Sequence, residues 1–406
     1  MTSPEAPDRK TGSQVLLCSM AFAVFTTVTA VAMLGPLLVD MSSALDTTVP
    51  VVGQLVTISA ASWAISALLV GPFSDTYGRK PVLVLGSLLV AVASLGTGLA
   101  PNFAIAAALR VLAGIGGGMV PPTCVALVGD IFPERRRPMS VATITMQPGL
   151  SSVLGVPLSA VLGGFAGWRF PFFAVGLALF LAALLLFILA PHHRPQTTSL
   201  ELGRRLRRVV TFPVTWHMAG ANLVARMAFG VIITFLPAFL ILTYDLRTAE
   251  VALPMAIVAV GATLAPLLGG RIGGGRRRLT IVAAALLAAT IPGLAIFLQG
   301  WGMWLSVFSA GFFMLLIIPV TTILMIVVAE VGGASRGTLA GVLSSSNWGG
   351  TAIGAAIGGI LVAQVGYGSL SFQLAGATIV SGLLLAFLVQ EKAVARAHHH
   401  FNETSP

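Results

Sequence analysis

Charge is what this chain has least of. Only 9% of its 406 residues are Asp, Glu, Lys or Arg, while 56% are hydrophobic. A soluble protein of that length needs far more charge to cover its surface. Cysteine is nearly absent. The two residues, Cys18 and Cys124, both fall in apolar runs and read as small buried hydrophobes, which excludes a disulfide framework. Acids are the scarcest charged class, 13 against 23 Lys and Arg. All of them can be placed at tails, loops or the ends of apolar runs. Asp40 and Asp46 close the first run and Glu330 ends the tenth. No paired carboxylate, histidine cluster or activated nucleophile lies within a run, so membrane-enzyme chemistry, a metal site and a cofactor are not expected. His398, His399 and His400 sit near the carboxyl end and read as a solvated tail.

Apolar length is what the chain has in excess. About twelve segments are long enough to span a bilayer: 14–39, 53–73, 81–99, 102–128, 139–164, 170–190, 212–242, 248–270, 279–298, 301–328, 338–363 and 370–390. Lipid cannot satisfy backbone polar groups, so each is expected to be helical. The first run is too long for a cleaved secretion signal and lacks a convincing cleavage site, so it reads as the first spanning helix. The predicted fold class is an all-α membrane protein of twelve transmembrane helices.

The net charge of +10 has a pattern. With the amino terminus placed in the cytoplasm, the tails and the loops on that side hold 19 of the 23 Lys and Arg. Opposite loops keep only Arg169 and Arg247, and Arg110 and Arg226 lie within helices. This is the positive-inside bias. Both termini are expected to be cytoplasmic, with the basic clusters facing anionic headgroups of a cell membrane rather than nucleic acid.

The chain also reads as two halves. The segment 191–211 is polar, with Pro191, His192, His193 and five arginines, and it divides six runs (1–190) from six (212–406). Gly155, Ser159, Gly163 and Gly164 in the fifth run are echoed by Gly350, Gly354, Gly358 and Gly359 in the eleventh. Spacing by four puts small residues on one helix face and allows close backbone approach.

A short charged turn separates the second and third runs: Gly71-Pro72-Phe73-Ser74-Asp75-Thr76-Tyr77-Gly78-Arg79-Lys80. Gly, then Asp, then Gly-Arg-Lys at this spacing, between two spanning helices, resembles the loop signature of the major facilitator superfamily of transporters. The resemblance covers roughly residues 14 to 390. It implies two pseudo-symmetric six-helix halves with the substrate near the midplane between them. It also implies a latch at the cytoplasmic face in the outward-open state. Asp75 would face the amino end of the eleventh helix near Thr338, where the helix dipole favours a carboxylate. Arg79 would pair with Asp130.

Arg110, followed by Gly114 and Gly118 in the fourth run, matches an arginine-glycine pattern of that family's proton-linked antiporters. The resemblance puts Arg110 forward for coupling, and Asp40, at the rim of the first run, is the acid nearest to serving as a proton carrier. An arginine at membrane depth is costly unless it meets water or a partner, and it could equally brace the helices. In the fifth run Gly155, Pro157, Gly163 and Gly164 approach the antiporter signature, although Val156 separates Gly155 from Pro157. Pro157 frees a backbone carbonyl and the glycines form a seam. Arg226 lies near the middle of the seventh run with no neutralising acid nearby, and Asn222 is one turn earlier. Gln54, Gln147 and Asn347 are further polar candidates for the cavity, or else helix-to-helix hydrogen bonds.

The resemblance is closest to the twelve-helix drug:proton antiporter branch. It implies a secondary transporter, working as a monomer in the lipid bilayer, that exports small organic compounds against protons and contributes to multidrug resistance. An uptake symporter for a metabolite is the alternative in the same fold. A non-transporting sensor would add a soluble domain, and no loop is long enough for one. With two deep arginines and no deep carboxylate, neutral or anionic substrates are expected.

Overall fold

A computed structural model describes residues 7–191, 213–275, 277–298, 302–331 and 336–389. The chain is helical almost throughout. The N-terminal set is α1 (Pro7–Ala32), α2 (Leu34–Ala44), α3 (Val49–Tyr77), α4 (Arg79–Leu99), α5 (Phe103–Ile131), α6 (Arg137–Thr145), α7 (Gln147–Leu150), α8 (Val156–Ala166) and α9 (Arg169–Leu189). The C-terminal set is α10 (Pro213–Tyr244), α11 (Ala252–Gly273), α12 (Arg278–Ala295), α13 (Met303–Ile317), α14 (Pro319–Val331), α15 (Arg336–Gln364) and α16 (Gly368–Leu388).

Among the described residues, 11 helical spans are long and apolar enough to cross a membrane. Helix α15 is the expected span that falls short. It has 29 residues, but its sequence Ser344-Ser345-Ser346-Asn347-Trp348-Gly349-Gly350 dilutes the apolar content. The outer surface fits lipid rather than water. Phe165, Ile291, Phe372 and Phe387 are 70% to 84% exposed, a cost that only an apolar solvent removes.

Three expected spans are interrupted, each near a proline. The first breaks at Met33, three residues before Pro36. The tenth breaks at Ile318, before Pro319. In the fifth, Ser151–Gly155 forms one π-helical turn just before Pro157. Proline has no N–H for the carbonyl four residues back and its ring crowds that carbonyl, so the helix bends or widens there.

The apolar core follows the division of the chain. One cluster is built from α10 to α16, including Phe235, Phe239, Phe297 and Phe313. Another is built from the N-terminal helices, including Met20, Trp63, Leu83 and Leu127. Between the sets, α3 lies along α15, and α2 lies against α10. A methyl group on Gly35 would collide with the Ile233 carbonyl, and one on Gly359 with the Gln54 amide. Cys124 is buried as expected. Cys18 is exposed on the surface of α1, because it lies outside that helix's packed face.

Candidate functional site

The Gly78 turn links α3 to α4. Gly78 has φ 92°, a conformation glycine adopts without strain, and it reverses the chain in a single residue. Arg79 then reaches three acceptors. Its Nε donates to Asp130 Oδ2 at 3.0 Å, and its terminal nitrogen meets Asp75 and the Ser74 hydroxyl. Asp75 is therefore ion-paired to Arg79 within its own turn. Lys80 is mostly buried, its ammonium 5.2 Å from the centre of the Phe187 ring. Among the described residues, a methyl group on Gly71 would meet nothing. The Thr338 side chain lies outside the described residues, as does the Asp75 contact expected there.

The face opposite this turn is closed. Asp40, near the end of α2, accepts a hydrogen bond of 2.7 Å from Thr248, which opens the segment leading into α11. A methyl group on Gly164 would meet Ala249 at 2.6 Å from its Cβ, and one on Gly53 would meet the Phe235 ring at 2.9 Å. Each of these contacts joins an N-terminal helix to a C-terminal one. Gln54 belongs to the same seam. It lies against Gly359, with its amide 3.5 Å from the Pro50 carbonyl.

Midway along the molecule, Trp63 of α3 and Trp348 of α15 stack with ring centroids 4.1 Å apart. Beside them, the Ser345 hydroxyl donates to the Ala64 carbonyl at 2.9 Å. The glycines of α5 explain how Trp63 fits. Methyl groups would collide with α3 at Gly114, with the Trp63 ring at Gly117, and with the Trp63 carbonyl region at Gly118. The glycines after Arg110 are thus a groove for α3.

Arg110 is fully buried. It donates to the carbonyls of Ala30 (3.1 Å) and Ala93 (3.3 Å) and to the Thr97 hydroxyl (2.8 Å), and its guanidinium lies 5.5 Å from the Phe172 ring centre. It therefore clamps α1, α4, α5 and α9. The structure does not bring it together with Asp40. The fifth-span residues also pack locally. Gly155 leaves room for Thr29, whose hydroxyl lies 2.8 Å from that of Ser151, and Gly163 leaves room for Leu37. Gln147 is mostly buried and donates to the Thr143 carbonyl of its own turn.

The C-terminal set brings two of the sequence candidates into contact and places a third one helical turn away. Asn222 is fully buried and donates to Asn347 Oδ1 (2.8 Å) and Ser346 Oγ (2.7 Å). Thr321 donates back to Asn222 Oδ1 at 2.9 Å. One turn along α10, half-buried Arg226 lies with its guanidinium carbon 3.6 Å from the Phe229 ring centre. Among the described residues, Arg226 has no hydrogen bond and no ion pair. Thr321, Ser346 and both tryptophans are not evident as site residues from the sequence. Small hydroxyls and lone aromatics are common in spanning helices and carry no spacing signal.

The pattern model of the Major Facilitator Superfamily matches residues 20–333. The chain belongs to that superfamily. It is therefore a multi-pass membrane transporter of small molecules and not an enzyme. The superfamily protein YceJ of Bacillus subtilis (strain 168), an uncharacterised transporter, is 26% identical over 337 residues, covering 81% of this chain and 84% of that protein. A bicyclomycin resistance protein homologue of Haemophilus influenzae is 24% identical over 205 residues, about half of each chain. The crystal structure of the human organic anion transporter TETRAN superposes with a TM-score of 0.66 at 19% identity, covering 94% of this chain and all of that one. That likeness concerns the fold.

Proposed function

We propose that this superfamily member is a proton-coupled exporter of small neutral or anionic organic compounds, working by alternating access. The observation that carries the charge preference is Arg226. It is half-buried at mid-membrane depth with no acidic partner among the described residues. A fixed positive charge of this kind repels cations and offsets part of an anion's desolvation. The closed face at Asp40 and Thr248 supports alternating access, because that seam has to part for release on its side. With the basic loops in the cytoplasm, the closed face is the outer one. Export is supported by the likeness to a resistance protein homologue. Proton coupling rests on the antiporter-like motifs around Arg110 and Pro157.

The test is a susceptibility panel of antibiotics and metabolites in cells with and without expression, repeated with a protonophore. Protection against neutral or acidic compounds, lost with the protonophore, is the expected outcome. Protection against none of them, with uptake of an acidic metabolite instead, would reverse the direction assigned here.

A further inference from the structure

The polar cluster on α10, α14 and α15 has a defined hydrogen-bond polarity, and its consequence is chemical. Ser346 donates its one hydroxyl proton to the Leu343 carbonyl at 2.7 Å. Toward Asn222 it can therefore only accept. Asn222 faces two acceptors there, Ser346 Oγ and, at 3.4 Å, the Leu343 carbonyl. Its amide nitrogen must point to them and its oxygen to Thr321, whose proton it accepts. That fixes the next residue. Asn347 meets the Asn222 nitrogen at 2.8 Å and the Thr321 hydroxyl at 3.3 Å, and presents its oxygen to both. A reversed Asn347 would set donor against donor.

The Asn347 amide nitrogen is thereby turned away from the cluster. It has no acceptor among the described residues, and it is not buried. Helices α10 and α15 run in register here. Asn222 lies opposite Asn347, and a methyl group on Gly350 would touch Arg226 Cβ at 2.9 Å. One helical turn, about 5.4 Å, thus separates the backbone of Asn347 from the level of the Arg226 backbone, and the Arg226 guanidinium lies over the Phe229 ring at the end of a long flexible side chain. The terminal nitrogens of Arg226 are likewise accessible and without an acceptor. Free N–H groups thus stand at both levels.

We infer that Asn347 and Arg226 together form a two-point site for the oxyanion head of the substrate, a carboxylate, sulfonate or phosphate. Asn222, Thr321 and Ser346 act as positioning residues that hold the Asn347 amide donor-side out. This rests on the proposed preference for neutral or anionic solutes and narrows it to one head-group chemistry. A primary amide offers one acceptor where an oxyanion offers two or more charged ones. An ammonium offers none.

The experiment is thermal unfolding of the purified full-length protein with five probes that share one ring: benzoate, benzenesulfonate, phenyl phosphate, benzamide and benzylamine. At least one of the three oxyanions should raise the unfolding temperature, and the ranking among them identifies the head group. Benzamide and benzylamine should not. Arg226→Gln should weaken the oxyanion's apparent affinity about tenfold to a hundredfold, the range for a lost charge-assisted hydrogen bond. Asn347→Asp should abolish the shift by placing a carboxylate beside Arg226, while the variant without ligand unfolds at or above the wild-type temperature. Three results would each overturn the site: a shift from no oxyanion, equal shifts from benzoate and benzamide, or an oxyanion shift that survives Asn347→Asp. Transport of a neutral or cationic solute that Arg226→Gln leaves unchanged would remove the oxyanion site yet leave the transporter standing. Absence of protection against every compound in the susceptibility panel, with the oxyanion shift intact, would remove the export reading and leave the site standing.

Discussion

Trp63 and Trp348 stack 4.1 Å apart although they sit in opposite halves of the chain. Trp348 belongs to a C-terminal helix but packs against the N-terminal core around Trp63. Gly117 makes the space behind the pair. An aromatic pair contributes about 0.5–1.5 kcal/mol beyond its buried area. Trp348→Ala should therefore lower the unfolding temperature in detergent and reduce transport, with Trp348→Phe intermediate. Gly117→Ala should do the same by displacing the Trp63 ring, and the double variant should lose less than the sum. Full additivity, or an unchanged unfolding temperature in Trp348→Ala, would show that the stack joins nothing.

Arg110 braces four helices through three acceptors. Arg110→Ala should lower stability by about 2–4 kcal/mol, since it orphans buried acceptors and opens a cavity. Arg110→Lys should recover only part of this, because one ammonium lacks the planar fork of donors. The check is membrane yield and unfolding temperature. An Arg110→Ala protein that is fully stable but inactive would move Arg110 from brace to coupling residue.

The Asp40–Thr248 hydrogen bond lies on the closed face. In a background with Cys18 and Cys124 changed to Ser, Asp40→Cys with Thr248→Cys should be joined by a short cleavable thiol cross-linker. Transport should stop on joining and return on cleavage. Continued transport through the joined protein would show that this seam does not need to part.

Asp75 and Asp130 share Arg79. Asp75→Asn should leave the protein in the membrane and cut transport about tenfold, the factor given by ~1.4 kcal/mol between two conformers. Transport equal to wild type at matched expression would remove the latch.

Much of the fold was legible because the bilayer imposes one pattern: long apolar runs, basic loops on one side, and a glycine at the one-residue turn before Arg79. The Arg79–Asp130 pair was legible only through the family resemblance of the loop motif, since nothing in the spacing alone joins those two residues. The glycines of α5 were legible as small residues, yet what they accommodate was not. Nothing local announces that Gly117 faces Trp63. The roles of polar residues were least legible. Gln54 and Gln147 satisfy backbone carbonyls or the helix seam, while Asn222 and Asn347 meet. Sequence separation alone, 125 residues for that pair, hides such partners. The breaks at Met33, Ile318 and Ser151–Gly155 follow from prolines, but not every helical proline breaks its helix. Pro237 and Pro292 lie inside unbroken helices.

Arg226, proposed to line the pathway, is a fixed positive charge that cations have to pass. The most direct measurement uses the purified protein in proteoliposomes under an imposed proton gradient. Ethidium movement is followed beside that of an acidic dye of similar size. Bringing a cation past Arg226 costs both desolvation and repulsion, together several kcal/mol. Gradient-driven transport of the acidic dye, abolished by a protonophore, is expected, with ethidium at the level of empty liposomes. Robust, protonophore-sensitive ethidium transport would contradict it, and would require a carboxylate such as Asp40 to reach the pathway.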